Sequence, residues 1–295
     1  TSLRKDEFSR EDQLFLEMLR DGCEYQIGRI TMTELLQRSE QREKNNSGSR
    51  FVLSNRLSQI RFAFYSEDSH ECRAVHLEEL RSLVEEIVTS PDKSDVLKVL
   101  ARIQLLEVEG NQFVFDFLRK IGDSRLMLAF GRLPDLTGLI KAQTSGLMDW
   151  EMKASNVLKE AIALGSPPLI ASAMVTKGFI FYLVLENQVI LSFLYGHPIY
   201  PKQNIVQEHI DNALKAIEIF GHAGILEAEL RAKMLLADLY LLVGRQPEAQ
   251  QIARDVLPKA RIMEYSNLKS RAENHIAGQS LQNQLIEISR PKSEQ

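Results

Sequence analysis

The segment Ser69-His70-Glu71-Cys72-Arg73-Ala74-Val75-His76 sets two imidazoles and a thiol close together. On a helix Cys72 and His76 stand four apart and share a face, a spacing that can ligate zinc. A closed zinc site needs a fourth ligand, and the only other cysteine, Cys23, is distant in the chain. Such residues at the start of a helix are more often solvated or packed than ligating. No metal, other cofactor or catalytic residue is therefore expected. Metal-dependent activity at His70, Cys72 and His76 is the one enzymatic alternative.

Other chemistry finds less support. Pro91-Asp92 followed by Glu107 and Glu109 faintly resembles a metal-dependent nuclease core, but no lysine stands beside the second acid and the segment reads as helix. Gly122 to Gly131 lacks the Lys-Ser/Thr of a phosphate loop, and no Gly-x-Ser-x-Gly elbow occurs. His197, His209, His222 and His275 are isolated in the sequence.

The elements that would have to position any site are helices. The 295 residues include only 15 Gly and 9 Pro, few of the breakers that an all-β fold needs at its turns. Net charge is -4, from 36 basic and 40 acidic residues mixed along the chain. Without a clustered positive surface, nucleic acid is not an expected partner. Two cysteines give no disulfide framework and point to a reducing, cytoplasmic setting, with both thiols expected buried or half-buried. The chain opens Thr1-Ser2-Leu3-Arg4, without an apolar signal segment or an initiator Met, as a piece of a longer protein would. Gly178 to Tyr195 approaches the length of a membrane span. Its central Glu186-Asn187-Gln188 reads instead as part of a buried helix in a soluble core, so no membrane association is expected.

Helical periodicity dominates. Leu53, Leu57, Ile60 and Phe64 share one face, with Arg56 and Arg61 outside it. Leu80, Leu83, Val84, Ile87 and Val88 form the next stripe. Ser90 and Pro91 are expected to open a further helix with Val96, Val99, Leu100, Ile103 and Leu106 buried. Gln41 to Arg50 is polar and rich in small residues, and reads as a loop or linker. A softer break falls near Gly131 to Gly138. The organisation expected is an N-terminal helical region over 1–145, helical repeats over 146–288 and a tail over 289–295.

From Trp150 onward the pattern is more specific. Leu236, Ala237, Tyr240 and Gly244 are followed by Ala249, Ala253 and Val256. This resembles the tetratricopeptide repeat, a pair of antiparallel helices joined by a tight turn. Helices approach closely only where a side chain is small, so Ala237 and Ala249 would set the spacing, with the Tyr240 ring in the adjoining gap. Looser matches are Gly178 and Phe181, then Ala213, Ile217 and Phe220, and Ala154, Leu158 and Ala161. The stretch from Leu185 to Ile205, with Gly196, Pro198 and Pro201, is an insertion that the repeat lacks. The resemblance implies an all-α fold with antiparallel helix pairs stacked as a solenoid. The first 145 residues form either a helical bundle or divergent repeats.

The first helices of such repeats line a concave groove. Here the resemblance places Val175, Phe179 and Tyr182, then Arg231, Met234, Asp238 and Leu241, on that surface, which is largely apolar. Relatives that bind chaperone tails grip a carboxylate with Lys, Arg and Asn. Phe179 and Asp238 occupy the asparagine points, so that ligand is not expected. The groove either receives the apolar face of a peptide or helix, or is filled by the insertion or by the C-terminal segment with Leu281, Leu285, Ile286 and Ile288. Because large exposed apolar patches are rare on monomers, filling is the favoured alternative.

The functional expectation is a non-enzymatic scaffold or regulatory module that binds a protein or peptide, with homo-oligomerisation left open. The alternative is a ligand- or peptide-sensing region of a larger signalling protein.

Overall fold

The computed structural model describes residues 17, 20–25, 29–45, 50–66, 70–91, 93–129, 136–194, 203–263 and 265–278. Among them there is no strand. A helical segment at 20–25 is followed by α1 (Met32–Asn45), α2 (Arg50–Ser66), α3 (His70–Thr89), α4 (Asp95–Ala129) and α5 (Leu136–Leu164). Then come α6 (Pro167–Leu194), α7 (Gln203–Ala223), α8 (Leu226–Leu242), α9 (Gln246–Ile262) and α10 (Ser266–Ile276).

Local chemistry sets several helix ends. Thr31 and Glu34 form a reciprocal capping box at the start of α1: the Thr31 amide donates to Glu34 Oε2 at 2.8 Å, and the Glu34 amide donates to Thr31 Oγ1 at 3.2 Å. Helix α1 then continues through Gln41–Asn45, where a loop was expected. Gln, Arg, Glu and Lys are good helix formers, and Arg42 Nη2 is anchored 2.6 Å from Asp21 Oδ2. Ser90-Pro91 does not open α4. The chain turns there, and the Leu97 amide donates to Ser94 Oγ at 3.3 Å. Val96, in the first turn of α4, lines a cavity beside Leu100 and Ile103, and this residue of the expected buried stripe is 46% exposed. Between α8 and α9, Gly244 adopts φ +77°, which lets the Arg245 amide donate back to the Tyr240 carbonyl at 2.8 Å and end the helix.

The helices stack in antiparallel consecutive pairs as a solenoid. Each even-numbered helix from α2 to α8 shares its core with the next two. One apolar cluster spans α2, α3 and α4, another α4, α5 and α6, and a third α6, α7 and α8. Small residues sit where the helices meet. Ala154, Ala161, Ala213, Ala237 and Ala249 are all buried at helix contacts. Tyr240 packs at the junction of two clusters, with the Arg245 guanidinium stacked 4.0 Å from its ring.

Two layers result. The even helices α2, α4, α6, α8 and α10 touch one another in sequence, and α10 also touches α2. The inner layer therefore closes into a ring. Closure is reinforced from outside, because Tyr25 and Ile30 join the α8–α9–α10 cluster and the Tyr25 hydroxyl donates to the Met263 carbonyl at 3.3 Å. Residue 145, the expected domain boundary, lies within α5.

Helix α6 runs to Leu194, through the first part of the expected insertion. Residues 195–202 and the segment with Leu281, Leu285, Ile286 and Ile288 lie outside the described residues. Pro167–Leu185 is long and apolar enough to cross a membrane by composition, but 61% of it is buried within the protein. Contacts with α4, α5, α7 and α8 account for that burial.

Candidate ligand chambers on the axis of the helical ring

The inner helices enclose an axial space, and charged side chains divide it. Glu107 on α4 is buried and forms an ion pair with Arg231 on α8. Arg61 on α2 reaches Glu227 on α8 at 3.0 Å and Glu107 at 3.6 Å, while Arg231 also lies 3.8 Å from Glu227. The Tyr65 hydroxyl donates to Glu107 Oε1 at 3.0 Å and accepts from Asn111 Nδ2 at 2.7 Å. Two arginines and two carboxylates from three helices thus form a neutral plug across the axis.

The electrostatics follow from burial. Desolvation alone would raise the Glu107 carboxyl, but Arg231, Arg61 and the Tyr65 hydroxyl overcome it and hold the group below the usual range. Burial would lower Arg231, yet Glu107 and Glu227 hold it above the ordinary arginine value. Burial, and then the Glu107 charge, push the Tyr65 phenol well up. Glu107, Arg61 and Arg231 are thereby held in their charged forms near neutral pH.

One chamber of about 330 Å³ lies toward the C-terminal ends of the inner helices. Its apolar side carries Val175, Phe179, Tyr182 and Leu183 from α6. Facing them are Asn267, Arg271, Asn274 and His275 from α10. A second buried charged group closes this side: Arg271 forms an ion pair with Asp238, and His275 Nε2 lies 2.6 Å from Asp238 Oδ1. Burial would raise the Asp238 carboxyl, but Arg271 and His275 hold it low. The other chamber, of about 440 Å³, lies toward the N-terminal ends. Glu107, Arg231, Val175 and Thr176 line both.

Five of the seven residues expected to line the groove, Val175, Phe179, Tyr182, Arg231 and Asp238, surround the first chamber. Two do not. Met234 is fully buried among α8, α9 and α10, because its register on α8 faces Ala249 and Ala253 rather than the axis. Leu241 packs half-buried against the same cluster. Arg231 and Asp238, the charged members of that surface, are each committed to buried ion pairs. Helix α10 forms a wall of the site.

No family model matches this chain. No curated protein matches its sequence either.

Arg61, Glu107, Glu227, Arg271 and His275 were not singled out as site residues by sequence reasoning. A signal existed for Glu107, which continues the Leu100–Ile103 stripe on the face that the helical period turns inward. A charge on an apolar stripe is the mark of a buried ion pair. Arg61 carried no such mark, and its expected outward position is corrected by its 9% exposure. Cys72 is exposed, and among the described residues no three His, Cys, Asp or Glu side chains gather to hold a metal; the His70 side chain lies outside the described residues. Cys23 is exposed as well, against the expectation of burial.

Proposed function

We propose that this chain is a non-catalytic, protein- or peptide-binding module of the tetratricopeptide-like kind, and that its C-terminal axial chamber receives a short polypeptide segment. The observation that carries this reading is the pairing of Phe179 and Tyr182 with the polar wall of α10. Half-buried aromatic rings beside fixed polar groups are the usual anchors of a peptide interface. Asn267 and Asn274 offer both donors and acceptors, which suits main-chain amides, and the neighbouring arginines are already neutralised by Glu107 and Asp238. A free anion would have to displace those carboxylates. Free cysteines exposed at two positions fit a cytoplasmic protein.

The test is selection of peptides from a displayed library on the intact chain, repeated with Phe179→Asp and Tyr182→Ala. Peptides enriched on the wild type should lose binding at least tenfold with either variant, roughly the effect of removing one interface anchor. Far-UV dichroism should stay helical. Peptides that bind both variants as well as the wild type would refute the placement of the site.

A further inference from the structure

The N-terminal chamber has the build of a small-molecule site separate from the proposed peptide site, and its ligand does not depend on a peptide at the other end. It is formed by the first turns of α4, α6 and α8 and by the middle of α2. Its apolar lining comes from Leu100 and Ile103 on α4, Leu169 on α6, Phe220 on α7 and Ile225 before α8, with the small hydroxyls of Ser166 and Ser172 among them. Its inner end is the polar plug. Apolar walls closing on a few fixed polar groups, within a volume of about 440 Å³, match the ordinary construction of a ligand pocket.

Two buried polar groups at that end are incompletely used. Gln104, only 6% exposed, has no partner for Oε1 among the described residues, and Arg61 has none for Nε. Both side chains line this chamber. The terminal torsion of a glutamine is broad, so a small rotation turns the Gln104 amide toward the cavity. Buried amides left unpaired are costly, and a ligand carrying both a donor and an acceptor would satisfy them.

Charge decides the ligand class. The plug holds Arg61, Arg231, Glu107 and Glu227, whose formal charges cancel, and each arginine already lies near two carboxylates. A carboxylate ligand would meet Glu107 and Glu227, and an ammonium would meet the two arginines. We infer that this chamber binds an uncharged amphiphile, with a carboxamide- or hydroxyl-bearing head on Gln104 and Arg61 and an aliphatic tail between Leu100, Ile103 and Phe220.

Hexanamide is the probe, with hexanoate and hexylammonium as charged comparators of similar length. Methyl NMR of the full chain should show Ile103 and Ile225 shifting saturably with hexanamide, while Ile252 on α9 stays put. Each charged comparator should bind about tenfold or more weakly. Gln104→Leu should weaken hexanamide about tenfold, the effect of losing one hydrogen bond, and Leu100→Trp should fill the cavity and remove binding. The wild-type comparison stands even if a variant fails to fold. Absence of saturable shifts with hexanamide overturns the site. Equal binding of hexanoate overturns the ligand class, and unchanged affinity in Gln104→Leu overturns the placement of the head group.

Discussion

Arg61 on α2 lies 3.0 Å from Glu227 on α8, so the early and late parts of the chain meet through a half-buried charge pair. Glu107 joins both arginines from α4. Removing Glu107 from this cluster leaves two buried or half-buried guanidinium groups sharing the single carboxylate of Glu227. Glu107→Ala should therefore lower stability by about 3 kcal/mol or more. Replacing Arg231 by Leu in the same chain should recover part of that loss, because the uncompensated charge is removed with its partner. Urea unfolding of the two single variants and the double variant gives the coupling. Additive losses would show that the plug does not act as a unit.

Met234 separates core from site. Its side chain is fully buried against Ala249 and Ala253. Met234→Ala should cost about 2–4 kcal/mol by leaving a cavity, and Met234→Asp should unfold the α8–α9 region outright. A Met234→Asp protein that keeps its helical dichroism and melting temperature would contradict the assigned register of α8.

Gly178 marks a close helix approach. A Cβ there would stand 2.9 Å from Leu235 Cδ2 and 3.7 Å from His209 Nδ1. Gly178→Ala should thus destabilise by about 1–2 kcal/mol through overpacking. Gly110 is the matched control. Its added methyl would meet Ile180 and Leu183 at 3.6 and 3.8 Å, ordinary contact distances, so Gly110→Ala should be neutral or stabilising by up to about 1 kcal/mol. Thermal unfolding of the pair reads the difference directly.

His209 gives the fold a pH dependence. Its ring stacks on Phe181 with centroids 3.9 Å apart, and burial, aided by Lys177, lowers its pKa to about 4 from the ordinary 6.5. Between those values the unfolded chain binds a proton that the folded chain refuses. Stability is therefore full above about pH 6.5 and falls as pH drops toward 4, by up to about 3 kcal/mol. The carboxylates held low, Asp21, Glu107 and Asp238, withdraw their contributions only as pH falls through their ordinary range near 4 and below. His209→Gln should flatten the upper part of this decline, between about pH 6.5 and 4.5, measured as the urea midpoint across that range. An unaltered profile would mean that His209 takes up its proton in the folded state.

What could be read from the sequence was local. The small residues Ala237 and Ala249, the aromatic Tyr240 and the closing Gly244 specify a helix pair because each requirement is met within one turn or between adjacent helices. The stripe of Leu53, Leu57, Ile60 and Phe64 was legible for the same reason, and all four are buried. Val175, Phe179, Tyr182, Arg231 and Asp238 face the axis because inner-helix register follows from the local helical period.

Only the tertiary structure decided the rest. Whether the inner layer stays an open groove or closes depends on the small rotation accumulated at every helix contact, and no single residue encodes that sum. Closure carried α10 to α2 and made Arg271 and His275 part of the wall. It also brought Arg61, Glu107 and Glu227 together from widely separated positions. Charges on three helices, each ordinary in its own segment, became a buried neutral plug because burial makes every one of them require the others.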